Sequence, residues 1–550
     1  MTPLTEAPTP DAPNRRQALD LVIAAVRAGQ IDEARRLTPE ALRMGAEHPL
    51  LLNLRALDHE DAGRFDEALT DLRRAHVLAP SDVSTLNACG LCLGRLHRPA
   101  EAIACFEQAV SLAPDFGPAW FNRGWTLEHL GRLAEARQSY EKAVALEPRH
   151  AQAWANLAML AAKRGDLPAA KSHAAQALAL QPDLATGVLA LAEAELGEPA
   201  KSEARLRALL ALDLTAYDRG LAFGLLGDAL DAQDRPAEAF DAYAKGNVAF
   251  RLGAAAQFET GGQATIPDTL AWLNRWARRL EAKRWNTRSP GVVGTSEAAG
   301  HVFLLGFPRS GTTLIETVLA NHPGVVTLEE RNTFHASVLD FLTDTSGLHR
   351  LASASDLTLQ RYREDYWVRV RQDGVDPAGK VFIDKNPFNT LKLPLIFKLF
   401  PNAKIIFALR DPRDVVLSCF RRRFNLNAST YEFLDLERTA RNYDETMRFA
   451  MGLGAKQDMA EFRLVYEDLI ADFEGVARAA CAFIGVDWRE DLIDIAARGR
   501  RGDVASASSS QIARGLFADG AGQWRRYQPQ LASVLPVLAP WVETFSYPPA

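Results

Sequence analysis

A loop suited to binding a phosphate group lies between Gly306 and Thr313. The sequence Gly306-Phe-Pro-Arg-Ser-Gly-Thr-Thr313 follows the apolar run His301–Leu305 and precedes the helical pattern Leu314–Asn321. A strand, a glycine-bounded loop and a helix N-terminus in this order direct backbone N–H groups at an anion. The two glycines have the spacing of a loop that binds nucleoside triphosphates, but Thr312 stands where that loop has its lysine. Hydrolysis of a nucleoside triphosphate is therefore disfavoured.

The missing lysine fits a different ligand, 3′-phosphoadenosine 5′-phosphosulfate, whose 5′ end is a phosphate joined to a sulfate. This ligand has no γ-phosphate for a lysine to contact. Arg309 offers it a planar fork of donors. A glycine-bounded loop alone does not distinguish this ligand from other phosphates. We predict that the loop holds the phosphosulfate through its N–H groups and its side chains, with these residues: Arg309, Ser310, Gly311, Thr312 and Thr313.

A second anion pocket is predicted after the next apolar strand. Arg410 follows the β-type run Ala403–Leu409, and Ser418 lies inside the helix predicted after it. Arg422 comes four residues later, on the same helix face. Two separate anion pockets fit a ligand with both a 5′ and a 3′ phosphate, and they do not fit ATP. The neighbouring Arg421 and Arg423 are predicted to form a solvated helix face.

Residues 301–550 resemble the sulfotransferase superfamily. The segment Phe307–Leu314 matches its 5′-phosphosulfate loop, and Leu409–Ser418 matches its 3′-phosphate segment. Within the superfamily the likeness is to protein-tyrosine sulfotransferases. The resemblance implies a parallel α/β sheet flanked by helices, 3′-phosphoadenosine 5′-phosphosulfate as the donor, and an in-line displacement at sulfur. No set of metal ligands is visible in the sequence, so no metal is expected.

The resemblance also implies a general base and a cation that stabilises the transition state. The segment His322–Arg331 is similar to a segment of protein-tyrosine sulfotransferases that ends in Glu-Glu, which implies that Glu330 is the base. The alternative is a surface carboxylate paired with Arg331. The sequence Lys385-Asn-Pro-Phe matches the family's Lys-Asp-Pro-Phe, which implies that Lys385 stabilises charge on the bridging oxygen. The alternative is a solvated lysine at a strand end.

Further matches imply contacts to the donor. The segment Ser506–Gln511 is similar to the family's Ser-x-x-Gln, so Ser508 is expected to share the task of Lys385, and Gln511 to contact the donor. A serine-rich surface loop without a role is the alternative. Tyr466 matches a tyrosine that lies beside the adenine in the family, and a buried core tyrosine is the alternative.

One of these matches departs from the family pattern. Trp524 corresponds to a tryptophan in a loop that closes over the donor. Protein-tyrosine sulfotransferases have a lysine before that tryptophan, whereas this chain has Gln523. Arg525 or Arg526 would have to compensate for the lost cation, and the contact at this position stays open.

The first half of the chain is a repeat array. The prolines Pro80, Pro114, Pro148 and Pro182 recur every 34 residues, the period of tetratricopeptide repeats. The chain resembles that family from about residue 14 to 250, with pairs of helices that stack into a superhelix with a concave surface. Three more columns share the period: Ala34, Ala68, Ala102, Ala136, Ala170 and Ala204; Gly29, Gly63, His97, Gly131 and Gly165; Trp120 and Trp154.

The predicted fold is multidomain, with an all-α tetratricopeptide-repeat superhelix followed by a P-loop-like α/β domain with a parallel sheet. Bacterial proteins that join such repeats to a sulfotransferase domain share this order. The predicted segments are a disordered tail (1–13), about six repeats with degenerate ends (14–250), a connector with an amphipathic helix near Leu270–Arg284 (251–299), and the sulfotransferase domain (300–550).

Composition and charge exclude several classes of protein. The net charge of −6 argues against a nucleic-acid binder, and no apolar run is long enough to span a membrane. Five scattered cysteines, together with an N-terminus that lacks the apolar core of a secretory signal, predict a cytoplasmic protein. Cys89 and Cys92 are expected to be packing residues of a helix rather than metal or redox ligands.

The sequence therefore predicts a sulfotransferase whose acceptor is a hydroxyl group. An acceptor protein or peptide, bound through the concave face of the repeats and modified on tyrosine, is favoured. A carbohydrate or small-molecule hydroxyl is an alternative acceptor, and a repeat scaffold with an inactive transferase domain is an alternative function. A homodimer is left open.

Overall fold

The computed structural model of the chain describes residues 12–260, 265–280, 298–493 and 520–549. They belong to two compact units, one of Met1–Leu160 with Ala170–Gly187 and one of Ala161–Ala169 with Val188–Ala550. The helices from Val188 onward thus belong to the same unit as the parallel sheet. The compact units do not divide the chain near residues 250 and 300, so the domain boundaries predicted there from sequence patterns stay a prediction.

In the described ranges before the sheet the secondary-structure elements are helices, which confirms the all-α prediction for this half. The first helix begins inside the predicted tail. The helices are α1 Ala12–Arg27, α2 Ile31–Arg43, α3 Pro49–Asp61, α4 Phe65–Leu78, α5 Val83–Arg95, α6 Pro99–Leu112, α7 Gly117–His129, α8 Leu133–Leu146, α9 Ala151–Lys163, α10 Leu167–Leu180, α11 Ala185–Ala194, α12 Pro199–Leu210, α13 Ala216–Asp231, α14 Pro236–Phe258 and α15 Ile266–Arg279.

The repeated columns have distinct structural roles. Each residue of the glycine column has a positive φ, and His97, which replaces glycine once, has φ 56°. This left-handed turn separates the two helices of a pair. Each tryptophan of the Trp column donates its indole N–H to the proline that ends the preceding helix, with 2.9 Å from Trp120 Nε1 to the Pro114 carbonyl and 3.0 Å from Trp154 Nε1 to the Pro148 carbonyl.

The alanine column is buried up to Ala170 and then breaks. Ala34, Ala68, Ala102, Ala136 and Ala170 are each 0% exposed. Ala204 is exposed, and Ser202 takes the buried position. Ala204 thus keeps the period of the column but not its burial, because α12 presents a different face to the core. Cys89 and Cys92 are buried free thiols on α5, as expected of packing residues.

A five-stranded parallel sheet forms the centre of the C-terminal half, which confirms the predicted fold class. Its strands are β1 Gly300–Gly306, β2 Val325–Glu329, β3 Val381–Lys385, β4 Lys404–Leu409 and β5 Glu461–Val465. The strand order is β2-β3-β1-β4-β5, and every neighbouring pair is parallel. The loops after β1, β2, β3 and β4 therefore share one edge. In such sheets ligands bind at this edge, where the strand order reverses.

Helices connect the strands of the sheet and follow the last one. They are α16 Thr312–Leu319, α17 His335–Phe341, α18 Thr345–Ser353, α19 Asp356–Gln372, α20 Leu393–Leu399, α21 Pro412–Arg421, α22 Ala428–Tyr431, α23 Leu436–Gly454, α24 Tyr466–Ala471, α25 Phe473–Ile484, α26 Gln528–Leu531 and α27 Leu535–Thr544. Short 3₁₀ helices span Pro387–Lys392, Glu432–Leu434, Glu490–Ile493 and Gln523–Tyr527.

The predicted amphipathic helix of the connector is present as α15, shifted toward the N-terminus. The side chain of Thr265 caps it by accepting from the Asp268 N–H. Its apolar face, which includes Leu270 and Trp276, is buried. No helix within the described ranges has the length and apolar character that a membrane crossing needs.

We predict that Ala136→Leu destabilises the repeats, because a larger side chain at a fully buried helix crossing forces the backbones apart. The free energy of unfolding should fall by about 1–3 kcal/mol, measured by urea denaturation followed by circular dichroism. The control is Ala134→Leu, at an exposed position of the same helix. Equal midpoints for the two variants would contradict the close packing.

Candidate active site

The predicted phosphate loop joins β1 to α16. Three of its residues have a positive φ: Gly306 with 147°, Arg309 with 72° and Gly311 with 97°. A Cβ at Gly311 would lie 2.7 Å from Cδ2 of Tyr466, so the loop requires glycine there. Ser310, Thr312 and Thr313 are buried against the domain. The loop thus has the backbone arrangement that binds anions, while the roles of its side chains stay predictions.

A buried lysine at the end of β3 collects three carboxylates. Lys385 Nζ lies 2.9 Å from Oε1 of Glu329, 2.9 Å from Oε1 of Glu330 and 3.4 Å from Oε2 of Glu316. Burial by itself would lower the pKa of Lys385, but Glu316, Glu329 and Glu330 outweigh it and raise the pKa above its usual value. Lys385 is therefore held as an ammonium ion at the carboxyl edge of the sheet.

The alternative of a solvated lysine does not describe Lys385. The side chain of Lys385 is 0% exposed. Glu330 pairs with Lys385, and its own side chain is 42% exposed, so one carboxylate of the cluster is open to solvent. Its backbone is left-handed, with φ 50°, and its N–H donates to the Lys385 carbonyl at 2.8 Å.

Sequence reasoning missed Glu316, Glu329 and Asp384. Strand register was the available signal for Glu329, because this residue lies directly opposite Lys385 in the β2–β3 pair. Asp384 accepts from the Tyr366 hydroxyl at 2.8 Å and from the Thr333 hydroxyl at 2.9 Å. Burial raises the pKa of Asp384 to about 6, although both hydrogen bonds act in the opposite direction. This network fixes the end of β3.

A second group of polar side chains joins the loop to α21. Arg309 Nε donates to Oγ of Ser418 at 3.1 Å, and Arg410 Nη1 donates to the Arg309 carbonyl at 3.0 Å. The guanidinium of Arg410 lies 4.7 Å from the ring centroid of Tyr466. Tyr466 is buried in the core beneath the sheet and also contacts this group. The Arg309 side chain therefore lies with the predicted 3′-phosphate residues rather than apart from them.

Several positive charges lie close together in and around this second group. Burial, together with the charges of Arg422 and Arg410, lowers the pKa of Arg309 to about 9. Within the described part of the chain, the buried atoms Arg410 Nε and Arg422 Nη2 have no hydrogen-bond partner. A buried donor without a partner costs about 1–3 kcal/mol. A bound anion would supply the acceptor that such a donor lacks and offset part of the positive charge that acts on Arg309.

Two predictions for the segment after Ser418 were wrong. Helix α21 ends at Arg421, and Arg422 has φ −87° and ψ 139°, so Arg422 does not continue the helix face of Ser418. Arg421 and Arg423 are not a solvated face, since each side chain is only 19% exposed. They form ion pairs with aspartates of α13, which lies far away in the sequence and was invisible to a local pattern.

The segment from Gly520 to Trp524 lies against α21. The Gly520 carbonyl accepts from Arg410 Nη2. Asp414 accepts from the N–H groups of Gly522 at 2.6 Å and Trp524 at 2.8 Å. The guanidinium of Arg413 lies 3.9 Å from the Trp524 ring centroid, and Trp524 Nε1 is buried with no partner among the described residues. This arrangement brings Trp524 to the second group.

Gln523, which stands where protein-tyrosine sulfotransferases have a lysine, contacts Arg526. Arg526 Nη1 donates to Gln523 Oε1 at 3.3 Å, and the same guanidinium forms ion pairs with Asp231 and Asp234. Arg526 is thus engaged by α13, and the guanidinium of Arg525 lies 5.3 Å from the Trp524 ring centroid. Compensation by either arginine stays a prediction.

Two predicted site residues, Ser508 and Gln511, lie outside the described residues, and their roles stay predictions. Within the described ranges, no group of three or more histidine, cysteine, aspartate or glutamate side chains is arranged to hold a metal ion. The carboxylates around Lys385 face an ammonium group instead.

Family models match both halves of the chain. Residues 301–490 match the model described as "Sulfotransferase family", and residues 19–83, 90–147 and 139–172 match models described as "Tetratricopeptide repeat". The chain joins tetratricopeptide repeats to a sulfotransferase-family domain. The phosphate loop and the two clusters of charged side chains at the sheet edge lie within the matched sulfotransferase segment.

Curated relatives include protein-tyrosine sulfotransferases. The chain is 26% identical over 267 residues to protein-tyrosine sulfotransferase 1 of Danio rerio, covering 45% of this chain and 72% of that one. It is 25% identical over 264 residues to protein-tyrosine sulfotransferase 2 of Gallus gallus, covering 43% and 68%. It is also 27% identical over 277 residues to an uncharacterized protein of Aquifex aeolicus, covering 46% of this chain but only 34% of that relative.

Solved repeat structures resemble the chain weakly. The type IV pilus biogenesis factor PilW is 21% identical with a TM-score of 0.32, covering 38% of this chain and 93% of its own. A tetratricopeptide repeat protein from Parabacteroides merdae is 18% identical with a TM-score of 0.35, covering 44% and 98%.

We predict that Lys385→Met destabilises the domain, because three carboxylates then repel one another at a buried position. The free energy of unfolding at pH 7 should fall by about 3–5 kcal/mol. The loss should be smaller at pH 5, since proton uptake by the native variant relieves the repulsion. Urea denaturation at both pH values measures this. The control is Lys380→Met, at an exposed position immediately before the same strand, and an equal loss there would contradict the cluster's role.

Proposed function

We propose that the chain is a sulfotransferase that moves the sulfuryl group of 3′-phosphoadenosine 5′-phosphosulfate to a hydroxyl group. One observation carries the proposal. An anion loop without a lysine, two arginines (Arg410 and Arg422) that each have a buried donor without a partner among the described residues, and a lysine paired with carboxylates occur in one α/β domain. The match to the sulfotransferase family model supports the same reaction.

In this proposal the loop and the second group bind opposite ends of the donor. Backbone N–H groups of Ser310–Thr313 hold the 5′-phosphosulfate, together with the Thr312 and Thr313 hydroxyls. Arg410, Ser418 and Arg422 hold the 3′-phosphate, with Arg309 between the two ends. Charge-assisted bonds to a dianion are about twice as strong as neutral ones. Tyr466, Trp524 and the undescribed Gln511 complete the donor contacts.

The proposed chemistry needs a base and a cation. Glu330 takes the proton of the acceptor hydroxyl as the new oxygen–sulfur bond forms. The bond between sulfur and the leaving phosphate oxygen breaks at the same time, and the Lys385 ammonium stabilises the charge that develops on that oxygen. Ser508 shares this task. Lys385 and the loop N–H groups supply the positive charge, so the reaction requires no metal.

A protein tyrosine is the acceptor we favour. The named relatives are protein-tyrosine sulfotransferases, and tetratricopeptide repeats provide surfaces for peptides. Amide side chains connect successive repeats, as in the 2.9 Å bond from Asn122 Nδ2 to Asn87 Oδ1 and the 2.8 Å bond from Asn53 Nδ2 to the Thr85 hydroxyl. Amide side chains both donate and accept hydrogen bonds, as a binding surface for a peptide backbone must. Five free thiols agree with a cytoplasmic location, and a homodimer stays a prediction.

We predict that Arg410→Ala weakens donor binding, because the 3′-phosphate loses its charge-assisted bonds. The dissociation constant of adenosine 3′,5′-bisphosphate, measured by calorimetry, should rise about 10- to 100-fold. Wild-type protein should bind this ligand more tightly than ATP with Mg²⁺. Arg441→Ala, at an exposed arginine of α23, is the control. An unchanged constant in Arg410→Ala, or tighter binding of ATP by the wild type, would refute the donor assignment.

Glu330→Gln should lower kcat about 10²- to 10⁴-fold, because the acceptor proton loses its base. Binding of adenosine 3′,5′-bisphosphate should be unchanged. The matched comparison is Glu329→Gln, whose carboxylate lies at the same distance from Lys385. Turnover is measured with labelled donor and tyrosine peptides, with sugars as competing acceptors. If Glu329→Gln lowered kcat more than Glu330→Gln does, Glu329 would be the base instead.

A further inference from the structure

Helix α13 of the repeat half contacts the arginines beside the second group. Asp228 Oδ2 accepts from Arg423 Nη1 at 2.8 Å, and Asp231 Oδ2 accepts from Arg421 Nη1 at 3.3 Å. The four residues belong to one compact unit. A Cβ at Gly224 would lie 2.7 Å from Arg423 Cδ, so α13 approaches this segment closely.

The two aspartates engage the outer members of three consecutive arginines. Arg422, in the middle, keeps a buried Nη2 without a partner among the described residues. The carboxylates are themselves held in place, since Asp228 Oδ1 accepts from the Tyr243 hydroxyl at 3.0 Å and Asp231 Oδ1 accepts from the Tyr527 hydroxyl at 2.6 Å. The pairing on α13 therefore decides which arginine is left for the second group.

Helix α14 fixes the same segment by neutral contacts. Asn247 Nδ2 donates to the Phe420 carbonyl at 2.9 Å, and both residues are buried. The rings of Phe240 and Phe420 stack with their centroids 5.0 Å apart. Phe420 lies between Ser418 and Arg422 in the chain, so α14 holds the backbone from which both side chains extend.

We propose that α13 and α14 form part of the donor site, with Asp228 and Asn247 as positioning residues that hold the segment Phe420–Arg423 and so set the position of Arg422 relative to Ser418. Affinity for the 3′-phosphate then depends on α13 and α14, and a chain without these two helices loses that affinity. The proposal rests on the donor assignment made above and adds to it the residues that orient the 3′-phosphate contacts.

An electrostatic role and a positioning role of Asp228 predict opposite changes in anion affinity for Asp228→Asn. This variant removes a negative charge near Arg422, which by Coulomb's law alone would tighten anion binding. If Asp228 positions the arginines, the variant weakens anion binding instead, because Arg423 loses its ion-pair partner and Arg422 can turn away from the anion. Asn247→Ala removes a contact without changing any charge, so it tests position alone.

The experiment uses the full chain and two probes, adenosine 3′,5′-bisphosphate and adenosine 5′-monophosphate, with dissociation constants from calorimetry. Asp228→Asn and Asn247→Ala should each weaken the bisphosphate about tenfold and leave the monophosphate within about twofold. A merely structural role would change both constants together. The control is Asp241→Asn on α14, whose carboxylate pairs with Lys245 on the same helix and is 63% exposed, and it should change neither constant.

Several results would overturn the proposal. The bisphosphate-to-monophosphate ratio could stay at its wild-type value in Asn247→Ala, or the bisphosphate could bind more tightly to Asp228→Asn. If Asp228→Asn does not fold, Arg423→Gln breaks the same ion pair from the other side and should give the same loss. A wild-type chain without preference for the bisphosphate would instead refute the donor assignment, and the positioning role with it.

Discussion

Buried positive charge at the carboxyl edge of the parallel sheet is the constraint on which the α/β domain depends. Removing an ion from water costs several kcal/mol unless a partner compensates it. Lys385 is fully buried and is surrounded by Glu316, Glu329 and Glu330. The strand order makes this possible, because β2 and β3 are parallel neighbours and place Glu329 opposite Lys385.

The arginines near α21 fall into two classes. Arg421 and Arg423 pair with aspartates of α13, and these ion pairs connect α13 to the end of α21. Among the described residues, Arg410 and Arg422 each keep one buried donor without a partner, and their charges act on Arg309. Arginines paired with carboxylates stabilise the fold, whereas arginines with a free buried donor are the candidates for binding an anion. The distinction depends on the partners of each arginine and not on the arginines themselves.

Local patterns predicted the elements well. The glycine and alanine columns located the helix pairs, because a left-handed turn and a close helix crossing each restrict the residue type at one position. The phosphate loop was also predictable from the spacing of its glycines. In the structure Tyr466 and Ala408 approach these positions so closely that only glycine fits. The break of the alanine column at Ala204 and the early end of α21 were not, because they depend on packing against helices distant in sequence.

The sequence by itself determined the two-part fold, the loop without a lysine, and the residue types able to bind anions and transfer a proton, because these follow from spacing within short segments. Only the tertiary structure decided which charges meet. It gave Lys385 three carboxylates instead of solvent, assigned Arg421 and Arg423 to α13, and placed the Arg309 side chain beside Ser418. Charge pairing depends on distances between segments far apart in the chain, and those distances are fixed by strand order and helix packing.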